Sequence, residues 1–593
     1  MPTISQLIER LLPNGSNPEA TPSWDLFPNW PPDLFAVAAT LINLSGCYTL
    51  SRYTGWDHSQ LLFQSGFHFG SERSIEGIIG EWELTFTDEA RSPPPELMGW
   101  WNIVRENGGQ RVYDDSLNRP AAWHDAVFCL MLVADGVSVA VGFTPPNESK
   151  YFVAQTVFTD YTERAKGKAA LTEIQLPHSL CWMVSPDEAV VQPKVMTPQV
   201  GCTLRSFSHH LSLLPTIGEV KTSWRFGQIP KPKPHNNRDD LHSPLNLLLI
   251  PYPYRITDDC FEPAEPCVGN QSLEHPHGHG NRHFFFDLLP KWLNDLGKSI
   301  EEQTEAFVKF VRKLVSQAES QHHAKVHGVI LPEFALSFDL AEHVAKQLAS
   351  EEIGLEFFVT GFSRVLIQEG SEKEKLNGIF TVLFEDGQVT GPFIQYKHHR
   401  WKLDRSQVLN YQLDTRLNPS HGVYWWEKMT IKQRECSFIV FRPGACLAAL
   451  DCEDLGRIEP VQQAIRSVGA NLVICLLLDG AQIVGRWPHR YAMVLADDPG
   501  SSVLTLTSIG MMRRYPNRQP TDSIALWKER NGETKELKLE RQNHALLLTL
   551  WLDDELNFSM DGRSDFGGTA NVSLSGIRQI RHPENPPDWA SVE

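Results

Sequence analysis

The sequence predicts a layered α/β chain, and three observations carry that expectation. Apolar runs such as LLLI at 247–250 and LVICLLL at 472–478 are continuous, the pattern of strands buried on both faces. They alternate with segments of helical periodicity, such as FVKFVRKLV, which places helices against a sheet. Hairpin signals at Asp386-Gly387 and Pro443-Gly444 lie between some of the runs, so the sheet is mixed rather than all parallel.

The elements follow in chain order. Pro31 and Pro32 open a helix that continues through LFAVAA. Residues 121–135 form a second apolar helix, and strands are expected at 136–143 and 151–158. Trp82, Trp100, Trp101 and Trp123 supply core volume. Residues 1–227 therefore read as one α+β or mainly helical domain without a catalytic set. Cys181, Cys202, His209 and His210 read there as structural. Residues 228–243, QIPKPKPHNNRDDLHS, are polar, proline-rich and without apolar periodicity, which is linker chemistry.

Residues 244–593 carry the alternating pattern. Strands are expected at 247–250, 326–331, 355–361, 378–384, 393–397, 438–441, 446–450, 472–478, 503–507, 523–527 and 545–552. A long amphipathic helix lies within 283–321, and shorter helices at 341–349, 459–468 and 489–496. No internal repeat at solenoid spacing is visible. No G-x-S-x-G elbow occurs in this half, which argues against a serine α/β-hydrolase.

Composition narrows the class. The chain has 593 residues, 41% hydrophobic and 21% charged, and a formal net charge of -18. That is globular composition, and the acidic balance disfavours a nucleic-acid groove. The start, MPTISQLIERLL, lacks the basic and long apolar parts of a signal peptide, and no stretch is apolar enough to span a membrane. Ten cysteines without a C-x-x-C pair read as reduced core residues, which points to the cytoplasm.

Three segments place a reactive residue at the C-terminal end of an apolar strand, where open α/β sheets build ligand sites. Glu333 ends GVILPE, where a rigidly held carboxylate can act as general base. Lys397 follows QY and precedes HHRWK; a lysine there can hold an oxyanion and favour a thiolate, with Lys402 as the rival. Cys452 ends AALDC at a strand-to-helix turn. Backbone dipoles there stabilise a thiolate, and the Glu453 N–H can face an oxyanion. Taken singly, each residue reads more readily as a loop acid, a surface base or a core cysteine.

Together, LPE, YKHHRW and LDCEDLGR resemble the three signatures of the nitrilase superfamily of carbon–nitrogen hydrolases. The likeness continues through Gly469-Ala-Asn-Leu, Trp487-Pro-His-Arg490 and the strand ending at Ser508, and covers roughly residues 244–555. The resemblance implies a four-layer αββα sandwich that pairs into homo-oligomers. It also implies a Glu333–Lys397–Cys452 triad acting on a small-molecule amide or nitrile through a thioester, with neither metal nor cofactor. Family members often carry a second glutamate shortly after the lysine. This chain has Asp404 and Arg405 there, so Asp404 is the candidate second acid. Residues 410–432, with Trp425-Trp426, form a longer segment than expected before the cysteine and could narrow the pocket.

Other features read more plainly. The histidines at 275, 277, 279 and 283 look like a metal tract, but Gly and Pro separate them and a pocket-lining loop is the expectation, with no metal site. Met511-Met-Arg-Arg514 reads as a surface turn. A nitrilase module fused to a large second domain, expected to sense or bind a protein partner, resembles fusions in bacterial anti-phage systems. A catalytically repurposed nitrilase fold serving as a ligand-binding or scaffolding module is the rival reading, and acyl transfer to an amine is the enzymatic variant.

Overall fold

The computed structural model describes residues 1–593 except 17–21, 54–60, 64–74, 87, 89–90, 114–120, 140, 142–152, 154–155, 157–173, 176–177, 227–243, 265–281, 352, 368–372, 386, 443, 516–521, 531, 561–562 and 592–593. The linker at 228–243, His275, His277 and His279 lie outside the described residues, as does most of the strand expected at 151–158.

Two large mixed sheets organise the chain. The first runs, edge to edge, through Gln388–Tyr396, Glu374–Glu385, Phe357–Leu366, Gly328–Ile330, Leu245–Leu249, Ala545–Phe558 and Ser564–Ile580. Gly328–Ile330 pairs parallel to both of its neighbours, and the remaining pairs along that path are antiparallel. The second runs through Thr534–Lys538, Ser523–Lys528, Ser502–Thr507, Leu472–Leu477, Ala445–Asp451, Glu435–Arg442, Lys221–Phe226 and Ile174–Gln175.

Side-chain alternation tells which face goes where. In the second sheet Ile439, Leu447, Ala449, Leu472, Ile474 and Leu476 share one core with the first sheet. Their neighbours Phe438, Val440, Cys446, Ala448, Leu450, Val473 and Cys475 turn to a second core made largely by the N-terminal region. Both faces are apolar, which is why these strands read as continuous hydrophobic runs.

The helix Ile300–His322 begins at Ser299, whose hydroxyl accepts from the Glu302 N–H. It buries Phe307, Val308, Val311, Leu314, Val315 and Ala318 at helical spacing. The helix Phe338–Ser350 packs on the first sheet beside it, capped by Ser337. The helix Ile300–His322 lies within the expected 283–321 segment to one residue, and ahead of it residues 282–288 form the strand Arg282–Leu288. That strand pairs parallel with Val423–Glu427 in a small sheet that also holds Phe261–Pro263 and Lys402–Leu403. The aromatic run HFFFD finds cross-strand aromatic partners there.

The N-terminal residues do not close a core of their own. Lys221–Phe226 pairs parallel with Glu435–Arg442, and Ile174–Gln175 pairs on its other edge. The helices Pro31–Ser45 and Ala122–Val137 contribute Leu34, Phe35, Phe128 and Met131 to the core that covers the second sheet. Gly136 and Val137 finish the second helix rather than starting a strand. Buried Asp135 accepts from the backbone N–H groups of His209, His210 and Leu211 and pairs with Arg563 at 2.8 Å, joining the first and last parts of the chain. A boundary between 227 and 244 therefore runs through a shared sheet and a shared core. No described helix is long and apolar enough to cross a membrane.

Candidate active site

Each of the three strand-end residues is delivered by a different part of this framework. Glu333 follows Gly328–Ile330, the central parallel strand of the first sheet. Its backbone is pressed against Gly361 of the next strand. A Cβ at Gly361 would stand 2.4 Å from the Glu333 Cα, so only glycine permits this approach. Lys397 follows Gln388–Tyr396, and its N–H donates to Asn377 at 2.9 Å. Cys452 follows Ala445–Asp451 in the second sheet and opens a short turn of 3-10 helix, Cys452–Gly456. It holds φ +43°, a left-handed conformation that a non-glycine residue adopts at a cost of order 1–3 kcal/mol. The two sheets are pinned together beside these strand ends. The Gln395 amide donates to Ala449 O at 2.8 Å and accepts from the Ser437 N–H at 3.0 Å.

Glu333, Lys397 and Cys452 are all buried, at 2%, 1% and 3% exposure. Lys397 Nζ donates to Glu333 Oε1 at 2.7 Å and to Glu427 Oε2 at 2.8 Å. An ammonium has three N–H bonds, so one remains for a ligand. The Asn377 amide donates to both acids, at 2.9 Å and 3.0 Å, and holds them apart around the lysine. The Leu478 N–H donates to Glu333 Oε2 at 2.8 Å, and the Trp401 N–H to Glu427 Oε2 at 3.2 Å.

The electrostatics follow from this packing. Burial opposes the Lys397 charge, but Glu333 and Glu427 outweigh it and hold the amine protonated well above its ordinary range. Burial pushes the Cys452 thiol well up; Glu333 adds to that rise and Lys397 opposes it. The resting sulfur is therefore a thiol, and a base must take its proton before it attacks.

Asp404 does not stand beside Lys397. It caps the short helix Arg405–Asn410, accepting from the Gln407 N–H at 2.8 Å. The second carboxylate beside Lys397 is that of Glu427, at the end of Val423–Glu427 in the small sheet. Its place in the chain, inside the long segment before the cysteine, gave no motif by which to find it. Lys402 is likewise outside the cluster, with its Nζ 4.2 Å from the centre of the Tyr424 ring. Glu453 is half-buried in the first turn after Cys452, where backbone N–H groups lack helical partners.

Two further groups join the site's rim. Buried Asp479 accepts from Tyr411 OH, from Arg486 Nη2 at 2.8 Å and from Trp487 Nε1 at 3.1 Å, so the 405–432 segment is tied to the end of Leu472–Leu477. Asn377 and Glu427 also line a cavity of roughly 350 Å³, with Phe334, Arg364, Lys375 and Met429 in its wall.

His398, His399 and Asp454 bring one ligand atom each within 4.8 Å of one another, the only such trio among the described residues. Asp454 Oδ1 takes His399 Nδ1 at 2.8 Å and Oδ2 lies 3.3 Å from His398 Nδ1. Both carboxylate oxygens thus already face an imidazole. The trio clamps the turn after Cys452 to the residues after Lys397. His283, the described member of the histidine tract, stacks on Tyr424 and accepts from Trp426 Nε1 at 2.9 Å.

No family profile matches the chain, and no curated protein sequence matches it. Solved structures similar to it include Saccharomyces cerevisiae Nit3, described as a member of branch 10 of the nitrilase superfamily. That similarity has 13% identity, 50% of this chain and 86% of Nit3, at a TM-score of 0.24. They also include an N-terminal amidase with a Gln-Gly peptide (10% identity, 39% of this chain and 47% of that one, TM-score 0.21). The same amidase with an Asn-Glu peptide gives 11%, 43%, 53% and 0.22. These structural neighbours are nitrilase-superfamily members. The chain spans about half the length of the N-terminal amidase structures it matches.

Proposed function

We propose that this chain is a nitrilase-superfamily hydrolase that cleaves a non-peptide carbon–nitrogen bond through a thioester on Cys452. The four-layer αββα arrangement of that family is the fold reading that goes with it. The observation that carries the proposal is the shared ammonium. Lys397 sits between Glu333 and Glu427, and its charge also reaches buried Cys452. A structural ion pair would not need a second acid, an amide spacer and a strained thiol at one strand end.

In the proposed reaction Glu333 takes the Cys452 proton as the sulfur attacks the amide or nitrile carbon. The third Lys397 N–H and the Glu453 N–H hold the oxyanion. For an amide, the C–N bond breaks and the leaving nitrogen takes the proton from Glu333. Water then gives a proton to Glu333 and attacks the thioester, the C–S bond breaks, and the thiol is restored. Glu427 keeps Lys397 charged and oriented throughout.

The test is ammonia release from a panel of primary amides and nitriles, with Cys452→Ala as control. Wild type should exceed the variant by roughly 10⁴-fold or more, as loss of a nucleophile costs elsewhere. A mass increase on Cys452 should appear on quenching. Equal rates with no adduct would sink the enzyme reading and leave the ligand-binding one.

A further inference from the structure

Six carboxyl groups act on the neighbourhood of Cys452 and Lys397: Glu333, Glu427, Asp451, Glu453, Asp454 and Asp479. Five of them have donors. Glu333 and Glu427 share Lys397 and Asn377. Asp454 has the His399 imidazole and the His398 backbone N–H, Asp479 has Tyr411, Arg486 and Trp487, and Glu453 has Arg457 at 3.4 Å.

Asp451 is the exception. It immediately precedes Cys452, is 1% exposed, and neither carboxyl oxygen has a hydrogen-bond partner. The strand's alternation gives its direction. Leu447 and Ala449 turn into the inter-sheet core, Ala448 and Leu450 turn away, and Asp451 continues the inward set. The groups that act on it are those of the site: Glu333 and Lys397, then Asp454 and Glu427. A buried carboxyl without a donor is costly, and such groups persist where a ligand completes them. The surrounding charge says which ligand. Three cations, Lys397, Arg457 and Arg486, stand among the six carboxyls; Lys397 is already bonded to two of them and each arginine to one.

Resting on the hydrolase reading above, we infer that Asp451 is a specificity-determining residue that binds a protonated amino group on the acyl part of the substrate. The substrate class is then an amino-substituted carboxamide or nitrile, with the ammonium a few bonds from the scissile carbon. An anionic acyl group would meet six carboxyls with no free cation among these residues. Burial, with Glu333 nearby, pushes the Asp451 carboxyl well up in the empty site. On binding, that proton passes to water and a buried ion pair replaces an unpaired acid.

Three amides of similar shape test this: β-alaninamide with an ammonium, butyramide with a methyl, and succinamate with a carboxylate. Wild type should prefer β-alaninamide to butyramide in kcat/KM by at least about tenfold, the scale of one charge-assisted hydrogen bond. Succinamate should be the poorest. Asp451→Asn should shrink the β-alaninamide-to-butyramide ratio toward one, mainly through KM. Calorimetric binding of the three amides to the Cys452→Ala protein reads the same preference without turnover. Absent turnover with the binding order kept would overturn the hydrolase reading alone. Binding without preference for β-alaninamide, or a preference for succinamate, would overturn the role of Asp451.

Discussion

Lys397 Nζ stands 2.8 Å from Glu427 Oε2, a partner thirty residues further along the chain and on a different sheet. The pair brings the end of the small sheet's Val423–Glu427 strand into the cluster of Glu333 and Lys397. The strand reaches the site because it pairs with Arg282–Leu288, itself held by the loop region before the long helix.

Glu427→Gln should therefore cost on the order of 10²-fold in kcat, since a neutral amide no longer orients or balances the buried ammonium. Asp404→Ala should leave kcat within a few-fold and lower stability by about 1 kcal/mol, the usual value of a helix N-cap. Steady-state rates and urea midpoints on both variants separate the two roles. A larger kcat loss in the Asp404 variant would reverse the assignment.

Gly361→Ala probes the seat of Glu333. The added methyl would meet the Glu333 Cα at 2.4 Å and the Phe334 N at 2.5 Å, both backbone atoms that cannot rotate away. The expected outcome is a folded protein whose kcat falls by at least about tenfold, because an ångström of displacement at a reacting group is expensive. Near-wild-type kcat would show that the Glu333 loop has slack.

Residues 244–593 expressed alone should not fold to a soluble monomer. Removal of Lys221–Phe226 leaves Glu435–Arg442 as an open edge, and loss of the N-terminal helices bares Phe438, Val440, Cys446 and Leu450. Size-exclusion chromatography and circular dichroism of the fragment check this. A soluble fragment with cooperative unfolding would support the two-domain division at 227/244.

Acid should destabilise the fold from about pH 6.5 downward. Burial lowers His124 and His544 from 6.5 to about 4, and both are nearly fully buried. The unfolded chain binds those protons first, so the stability is present above pH 6.5 and is lost as pH falls toward 4. Each histidine contributes about 3 kcal/mol at most. Asp33 works the other way, since burial raises it to about 6 and its protonation favours the folded state as pH falls. His327, lowered by burial to about 4, acts with His124 and His544, while Asp451 and Glu453, raised by burial, act with Asp33; the expected balance lies with the histidines. Urea midpoints at pH 7.5, 6.0 and 4.5 should fall in that order, and His124→Gln should flatten the slope. A midpoint that rises on acidification contradicts the balance.

The sequence by itself marked most of the buried strands of residues 244–593 and singled out Glu333, Lys397 and Cys452 as candidates. Apolar runs buried on both faces are local signals, and Glu333, Lys397 and Cys452 each sit one to three residues beyond such a run. A strand end is visible in a one-dimensional pattern because burial stops there. Only the tertiary structure decided the rest. Glu427 reaches Lys397 through a parallel pairing across more than a hundred residues, while Asp404 caps a helix, a placement that its sequence position does not reveal. The N-terminal residues give a related case. The polar linker is a real feature of composition, yet Lys221–Phe226 on its near side hydrogen-bonds into the second sheet, and composition carries no record of which strand a backbone finds.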